Sequence, residues 1–314
     1  MVRSTKRAKT AAEPMRDPLI LGAHMSIAGG LSKAADAAVG LGMETVQIFT
    51  QSPSRWSVPP VTAAAPVVRS KSVEPEEFAR FREAAARGGL VTTIAHNSYL
   101  VNLAAPDEAL RRRSIEAMCL EIEKCEALGI ADLVVHPGAH MGEGEEVGLE
   151  RVASALDEIH RRTEGVRLRV ALETTAGQGT TLGARFEHLQ RILESVSAPE
   201  RLSVCVDTCH IFAAGYSLGT RAEYDETIGA LERAVGKGRV RVWHVNDSLR
   251  EQGSRVDRHA GIGRGHLGLD PFRLLVNDPR FRGIPLILET PKGLDESGED
   301  LDAINLRILR GLVE

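Results

Sequence analysis

Residues Arg201–His210 read RLSVCVDTCH. Apart from Ser203, the run from Leu202 to Val206 is apolar, as a strand buried on both faces requires. It then stops on Asp207, Cys209 and His210. A carboxylate at that point caps a following helix. A carboxylate and an imidazole together also begin a metal site. Which reading holds depends on whether other strands end in the same way.

Seven further runs share the strand pattern: LILGAHM (Leu19–Met25), TVQIFTQ (Thr45–Gln51), LVTTIAHN (Leu90–Asn97), ADLVVHPG (Ala131–Gly138), RLRVALETT (Arg167–Thr175), VRVWHVND (Val240–Asp247) and IPLILET (Ile284–Thr290). Amphipathic stretches lie between them, at Leu31–Leu41, Glu76–Arg87, Glu108–Leu128, Leu149–Thr163, Ala184–Glu194, Arg221–Val235, Pro271–Asn277 and Glu299–Leu312. Gly129, Gly165 and Gly236 read as helix stops. Strict strand–helix alternation implies a parallel sheet with right-handed crossovers. Eight units fit a closed (β/α)8 TIM barrel, and 314 residues suit one such domain. An open doubly wound sheet is the alternative. It loses support because no G-x-G-x-x-G follows the first run.

Residues 18–314 are expected to form this single domain, and residues 1–17, basic and Ala/Thr-rich, a disordered tail. The tail has no apolar core of the kind a secretory signal carries. No apolar run is long enough to span a membrane. The four cysteines, Cys119, Cys125, Cys205 and Cys209, include no C-x2-C pair, which argues against a zinc ribbon. Free structural thiols in a reducing, cytoplasmic setting are expected. Two loops are long for a compact domain and follow the second and seventh strands, on the rim where barrels do their chemistry. Ser52–Pro75 carries Arg55, Trp56, Arg69 and Lys71, and Arg250–Gly268 carries Arg255, Arg258 and Arg264.

Ionisable residues fall at strand end after strand end: His24, His96, His136, Glu173, Asp207, His244 and Glu289. His210, Asp257 and His259 add to them from the segments that follow. In a closed barrel these ends converge on one mouth. Imidazole with carboxylate suits zinc, manganese or iron in a catalytic site. Nine candidate ligands (His96, His136, Glu173, Asp207, His210, His244, Asp257, His259 and Glu289) exceed what one ion takes and imply two or three. Clustered ions are a tool of phosphodiester hydrolysis. Taken singly, each residue has a plainer reading: a hydrogen-bonded strand-end histidine, a cap at Asp207, a turn carboxylate at Asp257. Coincidence across six consecutive strands favours one site. Cys209 reads as packing, His140 as support behind the ligands, His160 and His188 as structural or surface, and His266 as a loop residue. The formal charge of −4 weighs against nucleic acid. Bound divalent ions would reverse it at the mouth, where the rim arginines and Lys71 extend the positive field.

The chain resembles the endonuclease IV family of apurinic/apyrimidinic endonucleases. The resemblance runs from about Leu19 to the C-terminus and rests on GAHMSIAGGL, HNSYLVNLA, HPGAH, LETTAGQGTTLG, VCVDTCHIFAAGY, WHVNDS, GSRVDRH and PLILETP, in that order. It implies a (β/α)8 barrel with three zinc ions, manganese being an alternative at one or more positions. It assigns His96 and His136 to the first ion and Glu173 as a bridge to the second. Asp207, His244 and Glu289 complete the second, and His210, Asp257 and His259 take the third. Glu173 and Glu289 are the implied catalytic carboxylates, Glu289 also orienting the attacking water. The implied reaction is hydrolysis 5′ to an abasic site in double-stranded DNA, giving a 3′-hydroxyl and a 5′-deoxyribose phosphate, with 3′-end cleaning besides. Tyr99 and Leu100 match the residues that enter the DNA stack. Where the family has an arginine two residues before the loop tryptophan, this chain has Ser54, so Arg55 becomes the candidate wedge and Arg258 a further DNA contact. A monomer is expected. The rival readings are a metal-dependent sugar isomerase on the same barrel and a non-catalytic, metal-dependent DNA-binding barrel.

Overall fold

The computed structural model describes residues 19–58 and 75–314. The tail 1–17, Arg69 and Lys71 lie outside the described residues. The elements run β1 (Leu21–Met25), α1 (Leu31–Gly40), β2 (Thr45–Ile48), α2 (Pro75–Arg87), β3 (Thr92–His96), α3 (Glu108–Leu128), β4 (Asp132–Val135), α4 (Glu145–Arg162), β5 (Arg169–Glu173), α5 (Phe186–Ser195), β6 (Leu202–Asp207), α6 (Thr208–Ala214), α7 (Arg221–Val235), β7 (Val240–His244), β8 (Asp247–Ser248), β9 (His259–Ala260), α8 (Asp270–Val276), β10 (Leu286–Leu288) and α9 (Leu301–Gly311). Strands β1 to β7 pair in sequence and in parallel, and β10 lies between β7 and β1 to close the barrel. The fold is the expected (β/α)8 barrel.

One core fills the space between strands and helices, with Phe81, Phe186, Trp243 and Phe272 among its fully buried side chains. A second, smaller layer lies inside the barrel: Ile94, Val134, Ala171, Cys205, Val242 and Ile287, one residue from each of β3, β4, β5, β6, β7 and β10. Side chains alternate across a strand, so the residue two places on points the same way, one layer higher. Those residues are His96, His136, Glu173, Asp207, His244 and Glu289. The apolar layer is thus a floor, and the candidate ligands stand on it.

The structure departs from the sequence reading at element ends. The strands are shorter than the apolar runs, and His136 and Glu289 fall one residue beyond β4 and β10. Helix α4 begins at Glu145, four residues before Leu149, with Glu145 and Glu146 in its first turn, where acidic groups favour the helix dipole. Gly129 caps α3 in the left-handed region and Gly236 follows α7, whereas α4 already ends at Arg162 with Thr163 as its cap, so Gly165 lies beyond its end. Helix α6 is the helix that the capping reading of Asp207 requires, but its seven residues carry too little periodicity to be placed from sequence. The segment after β7 contains a small antiparallel ladder, Asp247 opposite Ala260 and Ser248 opposite His259.

A Cβ on Gly22 would sit 2.2 Å from the Thr45 carbonyl oxygen, where β1 and β2 close on each other. Gly22→Ala is therefore expected to lower stability by about 1–3 kcal/mol, as overpacking does. Gly40→Ala, at a position with no atom within 4 Å, is expected to be neutral or mildly stabilising. Denaturant melts of the two variants check the contrast.

Candidate metal centre

The nine expected side chains converge on the barrel mouth in three neighbouring groups, the first two sharing Glu173: His96, His136 and Glu173; Glu173, Asp207, His244 and Glu289; and His210, Asp257 and His259. Within each group one potential ligand atom per residue lies within 4.8 Å of the others. Glu173 has no exposed surface and joins the first two groups. Its Oε2 lies 3.0 Å from Nε2 of both His96 and His136, and its Oε1 lies 2.9 Å from Nδ1 of His244. Asp207 links the second group to the third, with Oδ2 3.9 Å from His244 Nδ1 and 3.6 Å from His259 Nε2. Asp257 spans His210 Nε2 and His259 Nε2 at 3.2 Å each.

Asp207 answers both readings of its sequence position. It is the last residue of β6 and the N-cap of α6, where Oδ1 accepts the His210 N–H at 2.8 Å. Its Oδ2 accepts from Asn246 Nδ2 at 2.7 Å and faces the imidazoles. Asn246 also accepts the Glu289 N–H at 2.7 Å, so one buried amide ties the ends of β6 and β10 together.

The imidazoles are held with one nitrogen occupied. His96 Nδ1–H donates to the Asn97 carbonyl and His210 Nδ1–H to the Thr174 carbonyl, both at 2.8 Å. His259 Nδ1–H donates to the Glu289 carbonyl at 3.1 Å. In each case Nε2 is left facing the carboxylates, which is how a support fixes a metal-binding tautomer. His259 Nε2 faces Asp257 Oδ1 at 3.2 Å and Asp207 Oδ2 at 3.6 Å without a well-aligned hydrogen bond to either. A buried donor set of imidazole and carboxylate fits a divalent cation of the zinc or manganese type.

Charge at the site follows from mutual compensation. Burial alone would drive these imidazoles neutral, but the carboxylates outweigh it: His96 and His210 are raised, and Asp207 and Asp257 lift His259 to about 9. Burial opposes ionisation of Glu173, Asp257 and Glu289 in the same way. The imidazoles, His244 foremost for Glu173 and Glu289 and His210 for Asp257, hold all three below the usual carboxylate range.

Two thiols come near. Cys205 lies within ligand distance of Glu173 and His244, and Cys209 of Asp207 and His259. Burial pushes both up to about 12, so they stay protonated, and the Cys209 thiol donates to the Arg258 carbonyl at 3.7 Å. His140 departs from its expected supporting place. Its Nδ1 accepts the Gly142 and Gly144 N–H groups and so shapes the turn into α4. His160 and His188 are buried on α4 and α5, and His266 is exposed. Tyr99 stands on the rim, 65 % exposed, with its ring 5.4 Å from Phe49 and 5.7 Å from His96. Leu100 beside it is half-buried, and Arg55, Arg255, Arg258 and Arg264 are exposed. Trp56 is occupied elsewhere, under the Arg113 guanidinium at 4.3 Å. Asn246, Gln47 and His24 escaped the sequence list of nine. His24 stands at a strand end like the nine, whereas Asn246 in WHVNDS and Gln47 in TVQIF look like ordinary amides in the sequence.

A ligand imidazole must shed its proton, so divalent ion uptake by metal-free protein at pH 7 is expected to release protons, with affinity rising as pH rises toward 9. Calorimetry in two buffers of different ionisation enthalpy measures the release, and a buffer-independent heat would contradict it. Cys209→Ser is expected to keep full metal content by elemental analysis.

The family model described as xylose isomerase-like TIM barrel matches residues 35–307. A protein of Chloroflexus aurantiacus named probable endonuclease 4 is 48 % identical over 293 residues, covering 93 % of this chain and 98 % of its own length. The crystal structure of endonuclease IV from Thermus thermophilus superposes with a TM-score of 0.78 at 36 % identity, covering 93 % of this chain and 98 % of that one. A D-tagatose 3-epimerase-like protein, at 19 % identity and a TM-score of 0.68 over 94 % of this chain and 97 % of that one, shares the fold alone. The chain belongs to the endonuclease IV family of hydrolases, built on a xylose isomerase-like TIM barrel.

Proposed function

We propose that the chain is an apurinic/apyrimidinic endonuclease of DNA repair. It hydrolyses the phosphodiester 5′ to an abasic site in double-stranded DNA and leaves a 3′-hydroxyl and a 5′-deoxyribose phosphate. The observation that carries this reading is the division of Glu173, whose two oxygens face two different histidine groups from a fully buried position. A single-ion barrel has no use for that arrangement, whereas adjoining ions at one phosphate do. On this reading His96, His136 and Glu173 hold the first ion, Glu173, Asp207, His244 and Glu289 the second, and His210, Asp257 and His259 the third. Three zinc ions, with manganese as an alternative at one or more positions, would supply an activated water near neutral pH and positive charge for the phosphate and the leaving oxygen. Glu289 in addition orients the attacking water.

The rim supports a DNA substrate. Tyr99 and Leu100 are placed to enter the gap an abasic site leaves in the stack, where flipping costs least. Arg55 and Arg258 offer exposed guanidinium groups to the backbone. Removal of blocked 3′ ends would use the same residues. One chain supplies all nine metal-facing side chains, which agrees with a monomer. The four cysteines are free and buried, which agrees with a reducing cytoplasm. No helix among the described residues is long and apolar enough to cross a membrane.

Protein purified without added metal is expected to carry close to three zinc ions and to cut a duplex only at its abasic position. His244→Ala is expected to lose one ion and more than about 100-fold in cleavage rate with the barrel intact, since losing even a group behind a ligand costs 10–100-fold. Near-normal turnover by His244→Ala with full metal content would contradict the assignment. Tyr99→Ala is expected to narrow the preference for abasic over intact duplex, read from competition assays.

A further inference from the structure

Gln47 stands in β2 opposite Ile94, in the floor of the barrel, where β3 to β7 and β10 carry Ile94, Val134, Ala171, Cys205, Val242 and Ile287. Its amide has no exposed surface. Burying an amide is unfavourable unless hydrogen bonds replace those it made to water. An aliphatic side chain there would pack as its neighbours do, so burial alone gives no reason for an amide.

The hydrogen bonds give one. Gln47 Oε1 accepts from His244 Nε2–H at 2.8 Å. Gln47 Nε2 donates to Glu289 Oε1 at 2.7 Å and to His24 Nδ1 at 2.9 Å. The orientation of the amide follows from its partners: an ionised carboxylate only accepts, so the NH2 must face Glu289 and the carbonyl must face His244. His244 therefore keeps its proton on Nε2 and presents Nδ1 to Glu173 Oε1 at 2.9 Å and Glu289 Oε2 at 3.1 Å. Three other imidazoles of the site, His96, His210 and His259, use backbone carbonyls for this purpose, whereas His244 uses a side chain from β2, with β1 and β10 between the two strands.

We infer that Gln47 is a positioning residue for the metal centre. It selects the Nδ1 face of His244, pins one oxygen of Glu289, and so sets the affinity of the ion shared by Glu173, Asp207, His244 and Glu289. The inference rests on the metal reading above.

The test uses full-length protein, stripped with a chelator and titrated with zinc against a competing indicator, then reloaded with cadmium-113 for NMR. Gln47→Met removes both arms of the amide at similar size. It is expected to weaken one ion about 10–100-fold, to shift or broaden one cadmium resonance, and to leave the others in place. Gln47→Glu keeps an acceptor for His244 but loses the donor to Glu289, and is expected to fall between wild type and Gln47→Met. Wild-type affinities and spectra in both variants would overturn the inference. So would equal weakening of every ion with a lower melting temperature, the mark of a packing role. Wild-type protein that takes up no divalent ion would overturn the metal reading and this inference with it; wild-type uptake matched by both variants would overturn this inference alone.

Discussion

A carboxylate with no access to water must be met by hydrogen-bond donors or positive charge, or else take up a proton, and Glu173 is met by imidazoles from four directions. His96 and His136 meet one oxygen, and His210 and His244 the other. Each imidazole comes from a different element, so the requirement of one side chain ties β3, β4, α6 and β7 together above the floor. The apolar layer beneath does the complementary work. It excludes water, lowers the local dielectric and makes each of these contacts stronger than it would be at the surface.

The floor and the site are two consequences of one periodicity. Six strands each place an apolar residue inside the barrel, and a candidate metal ligand follows two positions later. This is why the site was legible in the sequence. A strand buried on both faces has no structural use for a charge, so a histidine or carboxylate at the end of each of six runs stands out. The same rule explains Cys205, which the sequence places near a strand end without a role: it belongs to the floor, two residues below Asp207.

What stayed hidden was of three kinds. Short elements carry too few residues to show a period. Helix α6 is seven residues and the β8–β9 ladder two on each side, so both looked like loop. Side chains that act through others carry no signature of their own. Gln47 and Asn246 differ from ordinary polar residues only in what they touch, and their partners lie far along the chain, Glu289 being 242 residues from Gln47. The loop after β2 shows a third limit. Its start is legible only through its contacts: Thr50 donates to Glu121 at 2.5 Å, Lys124 donates to Gln51 at 2.6 Å, Ser98 donates to the Pro53 carbonyl at 2.7 Å, and Arg113 both covers Trp56 and donates to the Val58 carbonyl. These anchors leave Ser54 and Arg55 exposed at the rim.

Asp207 serves two masters with two oxygens: Oδ1 starts α6 and Oδ2 faces the imidazoles. The two duties have different chemical requirements. A helix cap accepts asparagine as readily as aspartate, whereas an ion held among imidazoles needs the charge. If the proposed metal role holds, a single exchange at this position would spare the architecture and silence the chemistry. For a lineage that carries this barrel, inheritance of shape and inheritance of activity can part company at one codon.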